Sequence, residues 1–446
     1  MKFRWIIAIT IAVLVLGWLA IIVVVRQINL GALEKDRAAL AAAGVTMRWE
    51  DVDVGPEMDP AAEAVWQRWT TTATRISPPP ELKSWLAHPT DPVPDTVQAI
   101  VSEIDDDLLA VLKLLDTKSL KIGLQPQITR LLRDHIDPQQ WFSGAEYFVS
   151  CHSLAYYLRC AACISSDPLP SLRRLDHLIS ALDQPLSALD ALIQVALKSI
   201  RDDTWLDGVR LGTITEQQAR TWLEQDTNPL ADIASAWMGD RLYTMLYYES
   251  LMKNGVSEKV FAPFGAPTPT WWDRTRDQLS IFLPTTQWQW ATLPAGTAYQ
   301  RWVVAKYENT ARLRPPLQAP SGIGGANSIY VRISLPNQIE CNITWIEAGA
   351  AARIKRAAAR ILFAARHGES VPMNPADFSA RFGADLLAAT PGQVALVYSP
   401  LPGGGFSLAA DLSGPPTIMG MPRKDNRLEF SAAEISAIVA RSGLQP

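Results

Sequence analysis

Cys160 and Cys163 follow Cys151-His152 on one predicted helix, and this is the one place in the sequence where soft metal ligands and nucleophiles gather. Two chemistries use such residues. A structural zinc site needs its ligands on a common face, but Cys151 and Cys160 are nine residues apart, about two and a half turns, so they point in different directions. A redox dithiol works through a thiolate, which the dipole at a helix N-terminus stabilises. Cys160 and Cys163 instead close an apolar helix just before Ser165-Ser166-Asp167-Pro168, where the dipole has the opposite sign. The expectation is therefore buried structural cysteines and no metal site. A disulfide between Cys160 and Cys163 stays open if the helix end frays in an oxidising compartment. The remaining histidines, His88, His135, His177 and His367, are scattered, and none pairs with a second ligand at helical spacing.

Charged clusters come next. Asp105, Asp106 and Asp107 fall within a predicted helix, where consecutive side chains diverge and cannot converge on one cation, so they read as a solvated face. Arg353, Lys355, Arg356, Arg360 and Arg366 share a helix that holds no acid between Glu347 and Glu369. They read as a solvated face paired with acids elsewhere in the fold, with lipid headgroups or an acidic partner as the alternative. The run Ser321-Gly322-Ile323-Gly324-Gly325 is not a phosphate loop, because it precedes a predicted strand instead of following one and opening a helix. No nucleophile elbow, zinc-protease helix, P-loop or kinase constellation is present, so no catalytic residue is assigned and no cofactor is expected. Asp240 is the one carboxylate singled out for a hydrolase whose groups would converge only in three dimensions.

Something must position these residues, and composition bounds what it is. The 446 residues are 48% hydrophobic and 19% charged, which suits a folded chain with sizeable cores and no need of disulfides. The first twenty-six residues hold three of the forty-one cations and none of the forty-five acids. The rest therefore carries thirty-eight cations against forty-five acids, a net charge of −7. That balance argues against nucleic acid as a partner.

Every residue from Trp5 to Val25 is apolar or small except Thr10. At about 1.5 Å per residue the run matches a hydrocarbon layer of about 30 Å. A cleaved signal peptide would have a shorter apolar core and a small-residue cleavage motif, whereas Arg26 and Gln27 follow here. A single uncleaved span is expected, with the lipid bilayer contacted through residues 5–25. Flanking cations (Lys2 and Arg4 before the span; Arg26, Lys35 and Arg37 after it) nearly balance. The early ones favour an N-terminus inside the cytoplasmic (inner) membrane and a soluble part outside the cytoplasm.

The soluble part reads as mainly α: a multi-helix antiparallel array followed by a small α+β unit. An apolar stripe from Val97 to Leu115 predicts one helix over Asp95 to Leu115, opened by an Asp95/Gln98 capping pair. Further helices are predicted over Trp141 to Cys163, Leu169 to Leu182, Leu186 to Trp205, and from a Thr215/Gln218 capping box to Gln225. Another starts at Asn228-Pro229 and runs to Lys253, with shorter ones over Trp272 to Phe282 and Ala298 to Leu313. Beyond Pro315-Pro316 the sequence predicts a strand at Ile329 to Ile333 and a helix from Ile343 to His367, stopped by Gly368. Strands at Gln393 to Tyr398 and Phe406 to Ala409 then precede a last helix over Ser431 to Arg441. The expected division is an anchor at 1–26, a helical domain at 27–314 and an α+β domain at 315–446.

Leu192 to Gln218, Met238-Gly239-Asp240-Arg241, and an Ala/Arg-rich helix ending Arg366-His367-Gly368 with Pro372 close behind carry a resemblance. The chain resembles a family of uncharacterised bacterial single-pass membrane-anchored proteins with a helical soluble region and a small C-terminal helix-plus-hairpin unit. Asp240 stands where that family has Glu, and Ser370-Val371-Pro372 lacks its aromatic before the proline. The C-terminal unit is also similar to the globular end of pseudopilins, but the anchor lacks their leader features, so filament assembly is not implied. The resemblance implies architecture and location, not activity. The expected role is that of a membrane-tethered, non-enzymatic interaction or scaffold protein of the envelope with a protein partner; the alternative is a membrane-bound hydrolase.

Overall fold

The computed structural model describes residues 2–45, 58–72, 76, 79–87, 92–122, 145–182, 188–225, 329–389, 393–412 and 426–442, with single positions and short runs between 234 and 305. The architecture is mainly α with one small antiparallel sheet. Contacts divide the chain into two compact units, one comprising 1–54, 129–143 and 237–338, the other 55–128, 144–236 and 339–446.

In the first unit, α1 runs unbroken over Lys2–Ala42. It is long and apolar enough to cross a membrane. Thr10 donates its hydroxyl to Ile6 O at 2.9 Å, which satisfies the single polar side chain of the apolar run within the helix itself. From Trp5 to Val24 most large apolar side chains are exposed; Trp5 is 70% exposed and Leu14 67%. From Ile22 onward the helix has a buried face of Ile22, Val25, Asn29, Ala32, Leu33, Asp36 and Leu40, at helical spacing.

In the second unit, α2 (Pro60–Thr72), α5 (Asp106–Asp116), α6 (Ala145–Ile164), α7 (Leu169–Ser180) and α8 (Ala188–Leu211) share one core around Trp69, Val111, Leu154, Leu175 and Leu197. Helices α3 (Pro80–Ala87) and α4 (Asp95–Ser102) cover Cys160 and Cys163. The single helix expected over Asp95 to Leu115 is two. Asp105 adopts an extended conformation and its carboxylate accepts from Leu108 N at 2.7 Å, so it caps α5 instead of continuing α4. Asp95 also does not cap: Pro94 holds that position and Gln98 donates instead to Val93 O.

A second core joins the C-terminal half of α8 to α9 (Glu216–Glu224), α10 (Ile329–Arg366), α11 (Pro375–Phe382), the sheet and α12 (Ala432–Ser442). The α8–α9 turn shows why the chain reverses there. Gly212 sits at φ +81° after α8, a conformation natural to glycine, and Thr215 and Gln218 form the reciprocal capping box that opens α9. The turn folds tightly enough that a Cβ on Gly208 would lie 2.3 Å from Ile214 Cδ1.

Strands β1 (Leu396–Leu401), β2 (Gly405–Ala410) and β3 (Arg427–Phe430) form an antiparallel sheet in that order, with Phe406 opposite Phe430. The third strand is an addition to the two expected. The strand expected at Ile329 to Ile333 is instead the first turns of α10. Its β-branched alternation suits a strand, but the segment is helical and is not a member of the described sheet. The helices expected over Asn228 to Lys253, Trp272 to Phe282 and Ala298 to Leu313 fall largely or wholly outside the described residues, as do the glycines at 322, 324 and 325.

Candidate functional site

The second unit buries a set of ionised groups along α8, within the stretch Arg201-Asp202-Asp203-Thr204-Trp205-Leu206-Asp207-Gly208-Val209-Arg210. Eight of these ten residues are buried and Asp203 and Arg210 are half-buried, so the stretch is enclosed and its charges are enclosed with it. Such charges require partners.

Two groupings supply them. Asp202 accepts from Arg201 Nη2 at 3.0 Å and from the Trp222 indole on α9 at 2.9 Å, and Arg356 on α10 lies 3.9 Å from its other oxygen. Arg201 also reaches Asp176 on α7 at 3.3 Å and Gln225 Oε1 at 3.0 Å. One turn along, Arg159 on α6 bonds Asp207 at 2.8 Å and Asp203 at 3.2 Å, while Lys355 on α10 reaches Asp203 at 2.7 Å. Burial pushes the Asp207 carboxyl above its ordinary range, and Arg159 opposes that push. Asp176 is raised for the same first cause, against Arg201.

These carboxylates are engaged by cations on neighbouring helices, and the arrangement is that of a clamp. It ties α6, α7, α8, α9 and α10 at fixed register. Truncating one member would leave its partner buried and unpaired, at a cost of about 3–5 kcal/mol.

The basic residues of α10 are not the solvated face expected. Arg353 and Arg356 are each 5% exposed. Arg353 donates to Val394 O at 2.7 Å, Leu386 O at 2.8 Å and Ala388 O at 2.6 Å. Arg356 donates to Gln225 O, Arg360 to Leu223 O at 3.0 Å, and Arg366 to Ile214 O at 3.1 Å. The physical reason is common to all of them: helix ends and turns leave carbonyls without donors, and long guanidinium side chains reach them from an adjacent helix. Burial, together with the neighbouring Arg441 guanidinium, pulls the Arg366 pKa down to about 10.

Cys160 and Cys163 are free thiols in an apolar cluster with Leu82, Trp85, Leu86 and Val97. Burial pushes Cys160 up to about 11 and Cys163 well above its ordinary value, so both stay protonated at neutral pH. Cys151 is raised by burial and then by Asp190, which accepts a short hydrogen bond from Tyr147. His152 packs edge-on to Phe148 at 4.3 Å, and burial lowers its pKa. Among the described residues no three His, Cys, Asp or Glu side chains are placed to share a metal ion. Asp105 is a helix cap, and Asp107 lies 3.7 Å from Arg68. Asp240, His88 and His135 lie outside the described residues.

The structure thus gives the described residues that the sequence singled out roles in packing and pairing, and it joins two of them, Lys355 and Arg356, to Arg159, Asp202, Asp203 and Asp207, which the sequence did not single out. Part of the signal for that cluster was present: five ionisable residues in ten, interleaved with Trp205, Leu206 and Val209. No family model matches the sequence, and neither a curated protein nor a solved structure matches the chain.

Proposed function

We propose that this chain is a membrane-tethered, non-enzymatic interaction or scaffold protein of the bacterial envelope, held by α1 in the cytoplasmic membrane with its folded body on the outer side. The observation that carries the proposal is α1. Its apolar half exposes Ile, Leu, Val and Trp side chains that water would not tolerate in such number, and the same helix continues without a break into a face buried within its own unit. Asn29, at the start of that buried face, donates to Ala291 O at 2.9 Å. A signal peptide is discarded, whereas this helix carries packing beyond its apolar run.

The body supports a binding role in a second way. The clamp on α8 spends its ionised groups on one another, which fixes a rigid frame and leaves them engaged within the fold.

Topology tests the location. Glu34, exposed on α1 beyond the apolar run, is replaced by Cys and challenged with an impermeant maleimide in intact spheroplasts. Labelling before lysis is expected; labelling only after lysis reverses the orientation. Native electrophoresis of gently solubilised membranes tests the role. The 49.1 kDa chain is expected in a larger assembly, and migration as a free monomer contradicts a scaffold.

A further inference from the structure

The apolar run and the buried face of α1 overlap. Ile22 and Val25 belong to the run, yet both are buried in a cluster with Ala291, and Trp18 packs against it. The Trp18 ring lies 6.3 Å from that of Trp288, which is itself 38% exposed. Thr292 donates to Trp288 O at 3.0 Å, so residues 288 and 292 are one helical turn apart, with Ala291 between them.

Depth follows from helix geometry. Trp18 to Val25 is the last seven-residue step of the run, about 10 Å of rise. If the run fills the hydrocarbon layer, those two turns lie in the leaflet that α1 leaves, and whatever packs beside them lies at the same level. Val25 then lies at the edge of the hydrocarbon layer, and Trp18, about 10 Å of rise before it, lies among the acyl chains with Trp288 beside it.

We infer that the helical turn carrying Trp288 and Ala291 is a second membrane contact, seated among the acyl chains of that leaflet, with the Trp288 ring packed beside Trp18 and its exposed part turned to lipid. The partner is the phospholipid acyl layer itself. The first unit then meets the bilayer directly along α1, with no linker between span and body. This rests on the anchor reading above.

The test uses full-length protein with Cys341 replaced by Ser, since the other three cysteines are buried. Single cysteines are introduced as Leu14→Cys, Trp288→Cys and Glu34→Cys, labelled with an environment-sensitive fluorophore, and placed in phosphatidylcholine vesicles carrying nitroxide lipids. Labels at 14 and 288 are expected to lose most of their emission, the one at 288 more to a nitroxide within the acyl chains than to one at the headgroup. The label at 34 is expected to respond only to aqueous iodide. A label at 288 that behaves like the one at 34, while the label at 14 is quenched by lipid, overturns the proposal and leaves the anchor standing. A label at 288 shielded from both quenchers overturns it in favour of a protein cover. No lipid quenching at 14 refutes the anchor and this proposal with it. Trp288→Phe, which keeps an aromatic ring, guards against misfolding of the cysteine variant: brominated lipid should quench less of its intrinsic fluorescence than of the wild type's, and equal quenching contradicts the proposal.

Discussion

Helices α1 and α10, 41 and 38 residues long, treat their side chains in opposite ways. The first turns most of its apolar residues outward over its N-terminal half. The second turns Arg353, Lys355, Arg356, Arg360 and Arg366 inward, onto carbonyls and carboxylates of neighbouring elements. Polarity alone does not decide burial; the available partners do. Outward apolar side chains on α1 call for a lipid solvent. Inward guanidinium groups on α10 are stable because helix ends of the fold supply acceptors that would otherwise go unmet.

The contrast breaks first at the clamp. Asp202→Ala leaves Arg201, the Trp222 indole and Arg356 without a shared acceptor in a buried site, and should cost about 3–5 kcal/mol in the urea denaturation of detergent-solubilised protein. A change within about 0.5 kcal/mol, the range of an ordinary surface substitution, would mean that the network is ornamental. Arg353→Met comes next. It removes donors from three carbonyls and should cost about 2–3 kcal/mol. Arg353→Lys should recover only part of that, because an ammonium cannot reproduce the planar fork. If the arginine faced lipid or solvent instead, Arg353→Met would leave stability unchanged and alter membrane association.

A smaller effect is expected from Asp105→Ala, which removes the cap that separates α4 from α5. About 1 kcal/mol should be lost, with no change in the helical content of the rest of the protein by circular dichroism. A gain in stability would show that the two helices are better as one.

Alkaline pH gives the finest test. Cys160 has its pKa raised from 9.0 to about 11 by burial, so between those values the unfolded chain has released a proton that the folded chain still holds. Stability contributed by the protonated thiol is intact below pH 9.0 and declines as pH rises toward about 11. Compared with Cys160→Ala, the wild type should lose more stability across that window. Parallel curves would place the thiol in contact with solvent.

How far these features could be read in the sequence follows from what each depends on. Local chemistry was legible. The Thr215/Gln218 box, Gly368 at positive φ beyond its helix end, and the apolar run of α1 are each set by a few adjacent residues. Competition between local signals was not. The apolar stripe from Val97 to Leu115 continues smoothly through Asp105, and only the structure shows that the Asp105 cap prevails over helix continuation. Ile329 to Ile333 alternates like a strand, yet it forms the first turns of α10 and no part of the described sheet. The clamp was the least legible because its members, Arg159, Asp202, Asp207, Lys355 and Arg356, come from three helices as much as 197 residues apart. The exposed or buried fate of a cation depends on acceptors that distant elements bring, and no periodicity within α10 encodes them.

The account stands on α1 being retained as the membrane anchor, and one measurement addresses that directly. Membranes from cells producing the full chain are washed with alkaline carbonate, and the pelleted protein is analysed by intact mass. The expected result is the protein in the pellet with residues 2–45 present, because Ile22, Val25 and Asn29 are part of the folded unit as well as of the helix. A carbonate-soluble protein whose mass corresponds to a start beyond Arg26 would show that the apolar segment is cleaved, and would contradict the anchor, the lipid contact at Trp288 and the tethered role together.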